Sequence, residues 1–477
     1  MTVKALHRRL LVSLVLALLV ACGGGGGGGA APANPSPGST ITIITQPTSQ
    51  DVTVGQTATF TVAATGGTTP YSYQWQKGSA KVGSNSATLS IQNAQQVDAG
   101  SYSVRVTDST SPNPQAAISS AVALRVNGTA DHWAAVTSAI LSAQTNFPGA
   151  AGGPAGLAVE IMAPEGVVYS QSFGDFTNQS YVAVASGSKW VSASAILRLV
   201  DAGVLSLDSQ TKQFLTDRAG NPWSGNMGEI KLRQLLSFTS GISGDDANDG
   251  DSTITLDEAV KRIYDDDHVG AQPPGAFFHY GDTHLRIAAR MAEAATGKSW
   301  RQIFLDEIQN PLGWSRLSTF GNGSNPDPAG GLACTGLEYT RFLMLQLRQG
   351  LDGSARLLAS ATIDQQRADG FGPATRIDYS PYVALRRESF HYGFGNWLET
   401  ADGQAPSGSD PVIRWSSTGK FGWAPWVSAD GSYAAVIMTR QPDTWASMLP
   451  SENLKNKLDP LIRTALAVQP PVLRTIP

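Results

Sequence analysis

Between residues 41 and 126 the apolar positions come in short alternating runs, ITIIT, QTATFTVAA, YSYQWQ, ATLSIQ, GSYSVRVTD and AVALRV, separated by turn residues. A period of two, repeated at this spacing, predicts the strands of a small antiparallel sandwich. After an NGTAD linker at 127–131 the pattern changes to mixed helical and strand periods that continue to about residue 468. Within it, VSASAILRLVDAGVLSLD sets Val191, Ile196, Leu197, Leu199 and Val200 on one helical face that ends at Gly203. The preceding VASGSKW, residues 184–190, therefore opens a helix at Ser186. SENLKNKLDPLIRTALA has helical spacing apart from Pro460, and the last residues, QPPVLRTIP, read as a tail without structure.

A different pattern governs the N-terminus. Lys4, Arg8 and Arg9 precede an apolar run over residues 10–20, too short to span a bilayer and suited to an export signal. Its end, LVAC, resembles a bacterial lipobox, which implies cleavage before Cys22 and a diacylglyceryl group on that cysteine. Gly23 in second place, rather than Asp, resembles lipoproteins sent on to the outer membrane, facing the periplasm or the cell surface. The expected organisation is a lipoprotein signal at 1–21, a Gly/Pro-rich tether at 22–39, the sandwich at 40–127, one large α+β domain at 132–468 and a tail at 469–477.

Composition narrows the possible partners. Of 477 residues only 15% are charged, with a net charge of -4, so there is no basic surface to neutralise a phosphate backbone and nucleic acid is excluded as a partner. The membrane enters only through the N-terminal lipid. Two cysteines are present, Cys22 and Cys334. With Cys22 acylated no internal disulfide can form, and stability must come from burial.

The candidate chemistry lies in SGSKW. Residues i and i+3 share a helix face, so Lys189 can reach the Ser186 hydroxyl, and the helix N-terminal amides favour negative charge there. A serine hydroxyl needs such activation to act as a nucleophile at neutral pH. Ser209 and Lys212 stand at the same spacing. Spacing alone does not separate the two pairs, although the second has no comparable apolar helix behind it.

SGSK followed by a long helix and AGVLSLD resembles the serine β-lactamase and penicillin-binding-protein superfamily, in particular its class C-like esterases and peptidases. Further segments match in order: IKLRQLLSFTSGIS at 230–243, with Phe238 where histidine is common; FFHYGDTHLRIAARMAEAATGKSW at 277–300; NPLGW at 310–314; GGLACTGLEYTRFL at 330–343; and YGFGNW at 392–397. One SxxK is weak, but several landmarks in order are specific. The resemblance covers about two thirds of the chain and implies an antiparallel sheet flanked by helices, with an all-helical subdomain. By the same resemblance, Ser186 forms an acyl-enzyme with Lys189 beside it and Tyr280, in the second motif, is the general base. A phenol flanked by an ammonium can be pulled from about 10 toward neutral pH. The third motif falls on Ser417, Thr418 and Gly419, expected on a strand lining the cleft, and the amides of Lys420 and Ser186 form the oxyanion hole.

Two departures from the family pattern bear on substrate. Asp282 replaces the second motif's asparagine and can keep Lys189 charged, as an electrostatic aid rather than a base. Ser417 replaces the third motif's cation, and strand alternation sends Lys420 to the opposite face from 417 and 419. Without that cation an uncharged ester or amide is a better substrate than a penicillin. The alternative reading is a binding or sensor protein that captures cell-wall peptide or antibiotic with little turnover.

The N-terminal sandwich resembles an immunoglobulin-like domain: Trp75 in the third run, and DAGSYSV at 98–104 with Tyr102 as the corner tyrosine. Val62 and Val104 stand where a disulfide would be. The domain reads as a spacer, its protein partner unknown. No metal or cofactor is expected: GDDANDGDSTITLDE at 244–258 fails the EF-hand spacing and reads as a solvated loop over the cleft, and His279 and His284 are wrongly spaced for a shared helical face. The chain has no GxSxG elbow. Trp190, Trp397, Trp423 and Trp426 are candidates for an apolar acyl pocket.

Overall fold

The computed structural model describes residues 40–127, 132–151, 155–242, 251–267, 271–321 and 323–468. The signal, the tether with Cys22, and the tail lie outside them. The chain divides into two compact units, one ending at Asp131 and the other beginning at His132.

In the first unit, strands Gln50–Thr53, Val122–Asn127, Gly100–Thr107, Ser72–Lys77 and Ala80–Val82 follow one another in a sheet, and Ala116–Ile118 also pairs with Gly100–Thr107. Ala58–Thr61 pairs with Thr88–Ile91, and Thr42–Thr45 with Ala63–Thr65. The run QTATFTVAA is thus two strands with different partners, divided at Val62. Three strands fall outside the six apolar runs because QDVT, AKV and AAI are too short, with too few apolar residues in alternation, for a period of two to register. Trp75 is fully buried against Val62, Val104, Phe60 and Leu89 and donates its indole N–H to the Ser86 carbonyl at 2.9 Å. The Tyr102 hydroxyl donates to the Asp98 carbonyl at 2.7 Å, the corner expected from DAGSYSV. Two valines take the room of a disulfide and keep its burial.

The second unit is built on a seven-stranded antiparallel sheet, in the order Gly166–Gly174, Gly156–Ala163, Ala434–Met438, Ala424–Ser428, Val412–Ser416, Trp397–Thr400 and His391–Tyr392. Alternation along Gly156–Ala163 sends Leu157, Val159 and Ile161 to one core and Ala158 and Met162 to the other. The first core packs against helices Ala134–Ala143 and Leu449–Val468, and the latter continues through Pro460. The second, larger core holds helices Gly187–Asp201, Thr283–Thr296 and Gly336–Leu347. Gly187–Asp201 is buried on every side over its first eleven residues, as befits a central helix rather than a surface one.

The acidic segment at 244–258 is not a loop throughout. Residues 244–250 lie outside the described part, but helix Leu256–Asp267 begins inside the segment, and Asp257 pairs with Lys261 and Arg290. Acidic residues in a first helical turn are stabilised by the helix dipole, which accounts for a helix where composition suggested a loop.

Candidate active site

The turn that presents Ser186 is fastened on both sides. Val182–Ala183 pairs with Ala333–Cys334, and the Val184 amide donates to the Leu332 carbonyl at 2.9 Å. Ala185 then takes a left-handed conformation, φ 48°, which costs a residue with a Cβ about 1 kcal/mol and is held by its surroundings. The Ser188 hydroxyl donates to the Ala185 carbonyl at 2.6 Å and accepts from the Leu332 amide at 3.0 Å. Ser186 is the N-cap of the central helix, but its side chain makes no capping bond.

Lys189 lies one turn on and is buried. Its ammonium donates to Ser186 Oγ at 3.2 Å, to Asp282 Oδ1 at 2.6 Å and to the Ala329 carbonyl at 3.1 Å, and sits 5.0 Å from the centre of the Tyr280 ring. Alcohol, phenol and carboxylate are gathered around one cation. Burial pushes Lys189 toward neutrality, but Asp282, Tyr280 and Asp327 outweigh it and hold its pKa above the ordinary lysine value. Burial likewise raises Asp282, and Lys189, then Arg286 and Lys420, bring it below the usual carboxylate range. The pair is therefore ionised at neutral pH.

Tyr280 is buried in an aromatic cage. Trp397 stacks on it at 5.0 Å, Tyr392 and Trp445 meet it edge-on at 5.8 and 5.9 Å, and Phe238 lies at 5.6 Å. Its backbone amide donates to the Tyr379 carbonyl at 3.1 Å.

The third motif departs from expectation. Strand Val412–Ser416 ends before it, so residues 417–420 form the connection to Ala424–Ser428 and strand alternation does not apply. The reason is a tight turn in which the Gly419 amide donates to the Trp423 carbonyl and the Gly422 amide to the Gly419 carbonyl. The Ser417 hydroxyl donates to the Ser186 carbonyl at 2.9 Å and also reaches the Gly395 carbonyl at 3.2 Å. The Thr418 hydroxyl donates to Glu452 at 2.6 Å, a carboxylate that also takes the Tyr382 hydroxyl at 3.0 Å and the Lys455 ammonium at 2.9 Å. The Lys420 side chain is half-exposed and pairs with Asp443 at 2.9 Å. A Cβ on Gly419 would lie 2.2 Å from the Val184 carbonyl oxygen and 3.2 Å from the Ser186 amide nitrogen. Only glycine lets this loop lie beside the Ser186 turn. Among the described residues neither the Ser186 nor the Lys420 amide enters a backbone hydrogen bond.

Several contributors carry no sequence signal of their own. Ala329 acts through its backbone carbonyl. Gly395, φ 78°, lets the strand beginning at Trp397 approach the central helix: a Cβ there would sit 2.5 Å from the Lys189 carbonyl oxygen. Trp445, half-buried, walls Tyr280 where four other tryptophans were candidates. Trp190, Trp397, Trp423 and Trp426 are all fully buried and serve as core, although Trp397 does so against Tyr280. The Nε2–H of His284 donates to the His279 carbonyl at 2.8 Å, and its Nδ1 accepts from the Ser240 hydroxyl at 2.9 Å. Burial drives its pKa down to about 3, so it is a neutral core histidine with both nitrogens engaged.

Family models and known proteins can be set beside this geometry. A model described as Beta-lactamase matches residues 141–450, and one described as Immunoglobulin domain matches residues 41–108. The chain is 27% identical over 305 residues to penicillin-binding protein 4 of Amycolatopsis lactamdurans, covering 57% of this chain and 75% of that protein. It is 44% identical over 79 residues to the decoration protein of Escherichia phage T5, covering 16% of this chain and 48% of that protein, about half its length. A crystal structure of a β-lactamase candidate from Bacteroides dorei DSM 17855 superposes with a TM-score of 0.56 at 27% identity, covering 69% of this chain and 99% of that one.

Proposed function

This chain belongs to the β-lactamase family of serine hydrolases, and from that premise we propose that it cleaves an uncharged ester or amide through an acyl-enzyme on Ser186. The observation that carries the reading is the Lys189 ammonium, 3.2 Å from Ser186 Oγ and 5.0 Å from the Tyr280 ring centre. Ser186 Oγ attacks the carbonyl, Tyr280 takes its proton and passes it to the leaving group, and the amides of Ser186 and Lys420 receive the oxyanion. Water deprotonated by Tyr280 then releases the acid and restores the serine. Lys189, tied to Asp282, stays an ammonium and stabilises the negative phenol oxygen by charge rather than by taking a proton.

The third-motif side chains support an uncharged substrate. Ser417 is turned onto backbone carbonyls, Thr418 onto Glu452, and the Lys420 ammonium onto Asp443. None offers a cation to a carboxylate in the cleft. A panel of p-nitrophenyl esters, D-amino-acid amides and nitrocefin, run on wild type and Ser186→Ala, tests the reading. Ester turnover lost in Ser186→Ala is the expected result, and turnover that survives the substitution overturns it. The second reading, an acyl trap for cell-wall peptide or antibiotic, is favoured by Asp282, which removes Lys189 as a base for deacylation. A burst of acylation without a steady state selects that reading.

We further propose that the protein is exported and anchored through a lipid on Cys22, with the immunoglobulin-like domain as a spacer. Incorporation of labelled fatty acid into wild type and not into Cys22→Ala is the expected outcome, and equal incorporation rejects it.

A further inference from the structure

Tyr392 opens the YGFGNW segment and is fully buried, yet its hydroxyl has no hydrogen-bond partner among the described residues. A buried hydroxyl left unpaired destabilises the fold, and phenylalanine would fill the same space without that cost. The rings around it are Phe238 at 4.8 Å, Trp397 at 4.8 Å, Phe278 at 5.6 Å and Tyr280 at 5.8 Å, the last at an interplanar angle of 88°. Among these neighbours only Tyr280 carries a hydroxyl. Tyr392 also sits in the strand pair that Gly395 presses against the Lys189 backbone, so it lies behind the catalytic phenol and not at the surface. Its own ionisation is strongly opposed, first by burial and then by the neighbouring Tyr280 and Asp282 oxygens, so it remains a proton donor.

We propose that Tyr392 is a positioning residue of the active site, its hydroxyl held in reserve behind Tyr280 to donate a hydrogen bond to the Tyr280 oxygen as that oxygen becomes negative. The inference rests on Tyr280 acting as the base, as in the reading above. No proton is transferred; Tyr392 keeps its hydrogen and shares it. The charged groups facing Tyr280 are Lys189 and its partner Asp282. Asp327, Arg286 and Lys420 act on that pair from farther away, and His284, stacked on Phe238 at 4.8 Å, is neutral.

The test follows the rate at which a fluorophosphonate labels Ser186 across pH, together with thermal melting, in wild type, Tyr392→Phe and Phe238→Leu. Tyr392→Phe is expected to melt at or above the wild-type temperature, to label roughly tenfold more slowly at neutral pH and to recover as pH rises, because the hydrogen bond to the charged oxygen is worth about one pH unit. Phe238→Leu loosens the same ring cluster without removing a hydroxyl. It is expected to lower the melting temperature and leave the acid limb in place. An unchanged pH profile in Tyr392→Phe, a rate loss equal at every pH, or the same limb shift in Phe238→Leu overturns the proposal while leaving the serine mechanism standing. Wild type that takes no label removes both.

Discussion

Ser186 and Lys189, and Ser209 and Lys212, have the same two side chains at the same spacing, yet they live in different physical worlds. Lys189 is buried between Ser186, Asp282 and the Ala329 carbonyl beside an aromatic cage. Lys212 is 40% exposed and pairs with a still more exposed Glu229 at 2.6 Å, while the Ser209 hydroxyl accepts the Ser206 amide in a turn. Both lysines have a carboxylate at 2.6 Å, and only one of those contacts is in a low-dielectric site where charge is worth several times more than in water. Proximity in sequence supplies reach. Burial supplies chemistry.

The widest separation between the pairs is expected from removing each lysine. Lys189→Met should lower acylation of Ser186 by about 10²–10³ and, by leaving the half-buried Asp282 without its ammonium, cost about 3 kcal/mol in urea unfolding of the large unit. A loss below tenfold would dissolve the comparison.

Next in size is a pH effect on the buried site's own wall. His284 has a folded pKa of about 3 against 6.5 unfolded, so the unfolded chain binds the extra proton in that window. Stability is complete above pH 6.5 and falls as pH is lowered toward 3, by on the order of 4 kcal/mol. Unfolding midpoints measured from pH 7 to pH 4 should show this slope in wild type and a flatter one in His284→Gln.

Gly419→Ala places a methyl where the Val184 carbonyl already lies, and is expected to cost about 2 kcal/mol and displace the Ser186 turn, with a fall in kcat greater than any change in KM. Asp282→Asn sharpens the electrostatic role: with its main counter-charge gone, burial of Lys189 is opposed only by the weaker influence of Tyr280 and Asp327, its pKa falls, and the alkaline limb of the pH–rate profile should move to lower pH. An unmoved limb would show that the charge on Lys189 does not matter. The smallest effect belongs to Lys212→Ala, within about 0.5 kcal/mol and twofold in rate, as for an exposed ion pair.

The sandwich, the central helix and the order of the family landmarks were legible because each depends on local periodicity or on short motifs. Tyr102 declared its corner through DAGSYSV, since donor and acceptor are four residues apart. Reach from Lys189 to Ser186 was legible for the same reason. The strand ending at Ser416 was not, because the turn that stops it is made by backbone bonds from Gly419 and Gly422, and apolar patterning does not register such bonds. Tryptophan content pointed to a pocket, but four of those side chains are core and the one against Tyr280 at the margin is Trp445.

What the amino-acid order determined by itself was which elements form and which residue types are available: a helix opening at Ser186, a lysine one turn on, a tyrosine in a matching motif, an aspartate where an amide is usual. Tertiary structure decided the electrostatics, of which the motif comparison had suggested only the Asp282 charge beside Lys189. It brought Asp282 across 93 positions to Lys189, put the Ala329 carbonyl 140 positions away on the same ammonium, and turned the Thr418 hydroxyl onto a carboxylate 34 positions later. Charge and hydrogen bonding depend on distance and on the exclusion of water, and both are set only when distant segments pack.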